Sequence, residues 1–165
     1  TDIKDALNKH YRQKIILCND VNSVAVGYHA CQNNYHNISV IFQPVGTNAG
    51  IGNIINDQLH VGNNSLSGEV QFMPLKLSKS RFELNKTAEG TIELLTQEVL
   101  LCIVTVAPEL IVICNVLFDL DKLKNELLKY LPKDYCPKIT KIDYLQDYSF
   151  IGSFILAIRE CGDDK

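Results

Sequence analysis

Residues 99–118 read VLLCIVTVAPELIVICNVLF, and this stretch decides the fold class. It is long enough to cross a bilayer, but Pro108 and Glu109 interrupt it in the middle. Because the residue before a proline avoids the helical conformation, a helix should end at Ala107. The following residues, Leu110–Cys114, are apolar on all sides, as in a central parallel strand. The stretch therefore predicts a helix and a buried strand rather than a membrane span.

Helices and strands alternate on both sides of this stretch. On its C-terminal side we predict a helix at Asp119–Leu131 stopped by Pro132, a strand at Lys138–Asp143 and a helix at Ser149–Arg159. On its N-terminal side we predict helices at Asp2–Arg12, Ser23–Gln32 and from Thr87 to Ala107, and strands at Lys14–Cys18, Asn37–Phe42, Gly50–Ile55, Gln58–Val61 and Val70–Leu75. Polar residues at Gly62–Gly68 and Ser78–Lys86 read as connections. This order predicts a layered α/β domain.

The composition is that of an ordinary globular domain. With 165 residues, 46% of them apolar and 21% charged, the chain can bury a core in one domain, which excludes disorder and low complexity. Its 16 basic and 19 acidic residues argue against a basic nucleic-acid module. No charged-then-apolar secretory signal opens the chain, so we expect a cytoplasmic protein. Position 1 is Thr rather than Met, which leaves open that a longer protein contains this sequence.

The cysteines and histidines do not have the spacing of a metal site. The chain has six cysteines and four histidines, with no CxxC pair and no zinc-finger pattern. Most of the cysteines lie in apolar runs, which predicts free thiols that pack as small core residues in a reducing compartment. The histidines read as surface or partly buried residues. We therefore predict no metal ligands.

Two adjacent polar residues, Asn19 and Asp20, follow one predicted strand and precede a helix. Ligands of open α/β sheets collect beyond the C-terminal ends of strands. A carboxylate at such a place can act as a general base on a hydroxyl, and the neighbouring amide can bind a second hydroxyl. Asp20 could equally cap the helix that follows. The spacing alone leaves both interpretations open.

A glycine-rich corner, residues 46–52, lies between two predicted strands. Glycines there allow backbone N–H groups to approach a phosphate closely. Since no helix follows, the corner matches neither a Walker loop nor a dinucleotide-binding turn, and on the motif alone an ordinary hairpin is favoured. Glu69 ends the next polar loop, where a lone glutamate is usually solvated.

Four segments, in this order, resemble the ROK family, which comprises bacterial sugar kinases and sugar-responsive repressors. They are IILCNDVNSVAVGYHA (15–30), ISVIFQPVGTNAGIGNIINDQLHVGNNSLSGEV (38–70), VAPELIVICNVL (106–117) and DYSFIGSFILAI (147–158). The resemblance implies an α/β fold: a ribonuclease-H-like lobe of the actin-like ATPase and sugar kinase superfamily, with a mixed sheet flanked by helices. It also implies that residues 1–165 form a single C-terminal lobe of a longer protein.

The resemblance implies roles for five residues. Asp20 matches the family's catalytic base, which takes a proton from the attacking sugar hydroxyl. Asn19 and Glu69 match sugar-binding residues, so Asn19, Asp20 and Glu69 would form the substrate site. Gly46 and Thr47 match a turn that contacts the nucleotide phosphates. An active member would use ATP and Mg²⁺.

The sequence also departs from the family pattern. A glycine of the phosphate turn is replaced by Asn48, and the histidine of the family's GEiGH motif by Phe72. The cysteine-rich zinc loop that normally follows is missing, so we expect no zinc. The family's GGG segment near the adenosine is replaced by Cys114, Asn115 and Val116, which places side chains where a nucleotide would lie.

These matches and departures favour a non-catalytic effector domain of a transcriptional regulator, which senses a carbohydrate. One alternative is the C-terminal lobe of an ATP-dependent hexose kinase, so the sequence leaves open whether the protein is an enzyme. Another is a structural or oligomerisation lobe without a ligand. The expected partner is a carbohydrate, and a homodimer is a family-level expectation. We expect no membrane contact and no direct nucleic-acid contact by this lobe.

Overall fold

A mixed sheet of five strands, in the order β3-β2-β1-β4-β5, forms the centre of the molecule. The computed structural model describes residues 3–32, 34–114 and 117–162. The strands are β1 (Ile38–Phe42), β2 (Gly50–Ile55), β3 (Gln58–His60), β4 (Leu110–Cys114) and β5 (Lys138–Ile142). The helices are α1 (Ile3–Asn8), α2 (Asp20–Cys31), α3 (Arg81–Leu84), α4 (Ala88–Val106), α5 (Leu120–Leu127) and α6 (Gln146–Gly162). Short 3₁₀ turns lie at Asn63–Ser65, Val70–Phe72 and Lys133–Tyr135.

Helices cover both faces of the sheet. Strands β1, β4 and β5 are parallel, while β1–β2 and β2–β3 are antiparallel. On one face, α4 and α5 pack against alternate residues of the central strands, such as Ile41 and Ile113. On the other face, α2 and α6 pack against the intervening residues, such as Val40 and Val112. Both faces are buried, which explains why β4 is apolar at every position. The predicted layered α/β fold is confirmed.

The helix and strand predicted from residues 99–118 are confirmed. The Thr87 hydroxyl caps α4 by accepting a hydrogen bond from the Gly90 N–H at 3.1 Å. The helix ends at Ala107, whose φ of +50° is left-handed, and Pro108 follows. No helix within the described ranges is long and apolar enough to cross a membrane.

Two predicted strands are wrong. Residues 14–18 do not pair with any of the five strands, and Leu17 is exposed. A β-prone run needs a neighbouring strand to satisfy its backbone, and the described residues offer it none. Residues 70–75 begin with the 3₁₀ turn at Val70–Phe72, in which the Met73 N–H donates to the Val70 carbonyl at 2.9 Å. Only Val70 of this turn is buried.

The prediction that the cysteines pack in the core holds for two of the six. Cys102 and Cys114 are buried, whereas Cys18, Cys31 and Cys161 are exposed and Cys136 is half-buried. All six are free thiols. The three exposed thiols lie at the ends of elements, where apolar neighbours in sequence do not ensure burial.

Helices α2 and α6 cross at two glycines. A Cβ on Gly27 would lie 1.9 Å from the Tyr148 carbonyl oxygen, and one on Gly152 would lie 1.7 Å from the Ser23 carbonyl oxygen. The two backbones therefore approach each other at a distance that only glycine allows. This contact fixes α2, whose N-terminus carries Asn19 and Asp20, on the sheet.

Candidate functional site

The five residues predicted to bind ligands lie at one edge of the sheet, where parallel strands β1 and β4 end. Asn19 and Asp20 are at the N-terminus of α2, which runs antiparallel to β1. Gly46 and Thr47 are in the loop from β1 to β2, and Glu69 follows a loop that contacts the start of β2. Ligand sites of open α/β sheets lie at this edge.

Asn19 and Asp20 both accept a hydrogen bond at the N-terminus of α2. The Val21 N–H donates to Asn19 Oδ1 at 3.0 Å and to Asp20 Oδ1 at 2.7 Å. The cap is therefore Asn19 rather than the predicted Asp20, which is the first residue of the helix. Both side chains are exposed, so this role is compatible with ligand binding.

Glu69 follows Gly68, a position at which no other residue fits. Gly68 has a φ of +85°, and a Cβ there would lie 1.8 Å from the Ile51 carbonyl oxygen. The Ile51 N–H donates to the Gly68 carbonyl at 3.1 Å, which fastens this loop to the start of β2. The half-buried Glu69 carboxylate accepts a hydrogen bond from Gln71 Nε2 at 3.1 Å.

Asn19 and Glu69 line the same cleft. Its other polar walls are Asn22, Ser65, Ser67 and Gly68. A carboxylate, two amides and two hydroxyls supply the donors and acceptors that sugar hydroxyls need. The cleft holds about 10 Å³, however, far less than the roughly 300 Å³ of a typical ligand pocket. The described residues therefore form an open polar wall rather than an enclosed pocket.

The sequence did not identify Ser65 and Ser67 individually. They belong to a polar loop that was predicted as a connection, and no local pattern indicates that it folds back onto α2. The buried amide of Asn22, on the first turn of α2, was also missed. Its polarity inside an otherwise apolar helix face was the available signal.

Two buried amides hold the predicted phosphate turn. Gly46 has a φ of +79°, and the Thr47 N–H donates to the Pro44 carbonyl at 3.4 Å. Gln43 Nε2 and Asn85 Nδ2 donate to the Thr47 carbonyl at 3.0 and 3.1 Å. Both amides also donate to the Pro44 carbonyl. Neither was predicted. Asn85 lies 38 residues from Thr47 in the sequence, so no local pattern indicates its contact.

An aromatic ring lies near Gly46 of this turn. A Cβ on Gly46 would lie 3.7 Å from Phe82 Cε2. Phe82 belongs to α3, a short helix that stands in the segment predicted as a polar connection. The Lys86 ammonium lies over the Phe82 ring, 3.7 Å from its centroid. A side chain of this chain therefore takes up space beside the glycine that should approach a phosphate.

Cys114 ends β4 at the same edge of the sheet. It lines a pocket of about 230 Å³ with Phe42, Val45, Asp143 and others. Burial raises the pKa of the Cys114 thiol, and the nearby Asp143 carboxylate raises it further. The thiol is therefore neutral at pH 7. Asn115 and Val116, the other two residues predicted to place side chains where a nucleotide would lie, are outside the described residues.

The described residues contain no group of three His, Cys, Asp or Glu side chains that could hold a metal ion. Phe72, which replaces a histidine of the expected motif, projects into solvent with 69% of its surface exposed. It lies three residues after Glu69, next to the polar cleft. The phenyl ring has no nitrogen, oxygen or sulfur donor atom, so Phe72 cannot serve as a zinc ligand.

A second titratable cluster lies at the opposite edge of the sheet. Asp57, in the turn between β2 and β3, accepts hydrogen bonds from His29 Nε2 at 3.0 Å and His36 Nδ1 at 2.9 Å. Glu109 accepts from the His36 and Asn37 backbone N–H groups. This cluster joins α2, β1, β4 and the hairpin, so its role is structural.

Comparison with protein-family models matched residues 1–91 to the ROK family. Comparison with curated proteins gave no match. Among solved structures, a ROK family protein from Streptococcus pneumoniae TIGR4 in complex with sucrose is similar. It shares 18% identity, with 97% of this chain and 71% of that chain covered and a TM-score of 0.66.

Two further structures represent the two functional branches. A ROK family glucokinase from Streptomyces griseus, in complex with glucose and AMPPNP, shares 14% identity over 93% of this chain and 71% of that chain, with a TM-score of 0.64. A ROK family transcriptional regulator, a homolog of the E. coli MLC protein, shares 12% identity over 92% of this chain and 55% of that chain, with a TM-score of 0.55. The fold is therefore that of the actin-like ATPase, ribonuclease-H-like superfamily.

Proposed function

Since the chain belongs to the ROK family, we propose that it is a carbohydrate-sensing domain without kinase activity, the effector lobe of a transcriptional regulator. The observation that carries this proposal is the cleft that Asn19 and Glu69 share. It brings together side chains 50 positions apart in the sequence, at the edge of the sheet where ligands of this fold bind. The sugar complexes of two similar structures support a carbohydrate as the ligand.

The nucleotide half of the site argues against phosphoryl transfer. Phosphoryl transfer depends on positioning and on charge stabilisation by backbone amides and Mg²⁺. Here the Phe82 ring lies 3.7 Å from the position of a Cβ on Gly46, so it takes up space beside the phosphate turn, and the described residues contain no group of three His, Cys, Asp or Glu side chains for a cation. Asn48 adds a side chain to the same turn. The residues present therefore do not fit ATP and Mg²⁺ well, and we derive no step through them.

The proposal assigns a role to each of the three polar side chains that match the family's sugar site. Glu69 accepts hydrogen bonds from two sugar hydroxyls, and Asn19 donates to a third. Asp20 accepts from a hydroxyl without removing its proton. We further propose that the chain is one lobe of a longer protein, that it forms homodimers, and that another part of the regulator contacts DNA.

Thermal unfolding of the full chain with a panel of hexoses tests the proposal. We expect one sugar to raise the melting temperature by about 5–10 °C at a hundred times its Kd. Glu69→Ala should abolish the shift. Glu89→Ala, which alters an exposed glutamate on α4, is the matched control and should keep it. If no sugar at millimolar concentration shifts the wild type, the structural lobe without a ligand replaces our proposal.

One observation favours a kinase as the second candidate. Asp20, the matching base, is exposed at the N-terminus of α2 beside the sugar cleft. An ATP-dependent kinase should convert at least one hexose to its phosphate, with ADP released. We expect no turnover by the wild type. Turnover that disappears in Asp20→Asn would overturn the non-catalytic proposal.

A further inference from the structure

An apolar groove adjoins the sugar cleft and shares Gly68 and Glu69 with it. The groove has a volume of about 240 Å³. Its remaining walls are all apolar side chains, from the 3₁₀ turns and from α4: Leu66, Val70, Phe72, Met73 and Leu101. A polar cleft and an apolar groove therefore meet at one carboxylate.

The groove walls include side chains that a folded domain would normally bury. Leu66, Phe72 and Met73 are 59%, 69% and 39% exposed. Single exposed apolar residues are common, but three that line one groove form a patch that indicates a binding site. Continuity with the cleft through Glu69 indicates that one molecule occupies both.

We propose that the ligand is a sugar with an apolar substituent, an aryl or alkyl glycoside. The sugar hydroxyls face Asn19 and Glu69, and the substituent lies in the groove against the Phe72 ring. This inference rests on the proposed function, because it names the class of sugar that the same site binds.

The volumes support this division. The polar cleft, about 10 Å³, cannot enclose a sugar ring, which would lie against its open polar wall, whereas the groove is larger than the roughly 150 Å³ cavity that holds a benzene ring. A phenyl or short alkyl group therefore fits the groove. A sugar ring in the groove would leave its hydroxyls without hydrogen-bond partners, since the five apolar side chains of the groove offer none.

Calorimetric titration of the full chain with matched methyl and phenyl glycosides tests the proposal, using the glucoside, galactoside, mannoside and N-acetylglucosaminide of each. For the sugar that binds, we expect the phenyl glycoside to bind about tenfold tighter than the methyl glycoside, because the ring buries apolar area. Phe72→Ser should bring that ratio close to one and leave the methyl glycoside affinity unchanged.

Phe150→Ser is the matched control, because Phe150 is an equally exposed phenylalanine on α6. It should keep the tenfold ratio. Equal affinity of methyl and phenyl glycosides would overturn the inference and leave the proposed function intact. Binding of no glycoside would refute both. A wild-type dimer that Phe72→Ser converts to a monomer, measured by light scattering, would assign the groove to a second copy of the chain and overturn the inference.

Discussion

Glu98 is a carboxylic acid inside the core, on the face of α4 that packs on the sheet. Its side chain is fully buried, and neither carboxylate oxygen has a hydrogen-bond partner among the described residues. Burial raises the pKa of Glu98 to about 8, and the Arg81 charge only partly opposes this. The folded protein therefore holds a neutral Glu98 at pH 7.

This raised pKa makes stability depend on pH. Between the unfolded pKa of about 4.5 and the folded value of about 8, the folded state binds the proton more tightly, so the free energy of unfolding falls as pH rises. We expect Glu98→Gln to remove this slope and to stabilise the protein at pH 8 by a few kcal/mol. Urea unfolding at pH 5 and pH 8 measures the free energy of unfolding of both proteins. Glu89→Gln, which changes an exposed glutamate, is the control and should keep the pH dependence of the wild type. If Glu98→Gln keeps it as well, the raised pKa of Glu98 is refuted.

His36 should titrate above its usual pKa, because Asp57 accepts its Nδ1 hydrogen bond and places a negative charge beside it. The same bond lowers the pKa of Asp57. The stabilisation that the His36–Asp57 pair gives the fold is thus present below the pKa of His36 in the unfolded state, and it is lost as pH rises through the pKa of His36 in the folded state. It is also lost as pH falls through the pKa of Asp57. In an NMR titration, Asp57→Asn should lower the pKa of His36. An unchanged value would contradict the contact.

At the scale of elements, the crossing of α2 and α6 leaves no space for an added side chain at its two glycines. Gly152→Ala places a methyl group 1.7 Å from the Ser23 carbonyl oxygen, so the helices must separate. We expect a loss of about 2 kcal/mol or more in the free energy of unfolding. Gly162→Ala is the control, because nothing lies within 4 Å of its added Cβ. Equal melting temperatures for the two variants would refute this packing.

Helices and turns that are marked by residues within them could be predicted from the sequence. Strands that form only by pairing with a distant segment could not. Thr87 and Pro108 mark the ends of α4, and the turn at Asn56 and Asp57, both at positive φ, marks the hairpin. The runs 14–18 and 70–75 have strand-like residues, but pairing decides whether a strand forms. Helix α3 was missed because its capping box at Ser80 begins a helix of only four residues.

At the scale of the molecule, the general rule on ligand sites of α/β sheets predicted that Asn19 and Asp20 lie beyond the end of a strand, although the strand used for it, 14–18, does not form. Family resemblance added the other candidate residues, and all five lie at one edge of the sheet. The structure adds why they can cooperate: α2, held by α6, brings Asn19 to the loop that carries Glu69. The hydrogen bonds from Asn85 to the turn and the position of Phe82 beside it depend on contacts between distant segments, which a single sequence does not reveal.

The central claim is that this chain binds a sugar without a nucleotide. Isothermal titration calorimetry with hexoses and hexosides, followed by Mg·ATP, tests it most directly. We predict saturable heat from one sugar, its loss in Glu69→Ala, and no heat from Mg·ATP before or after the sugar is bound. Saturable binding of Mg·ATP, or the absence of heat from every sugar at millimolar concentration, would contradict the claim.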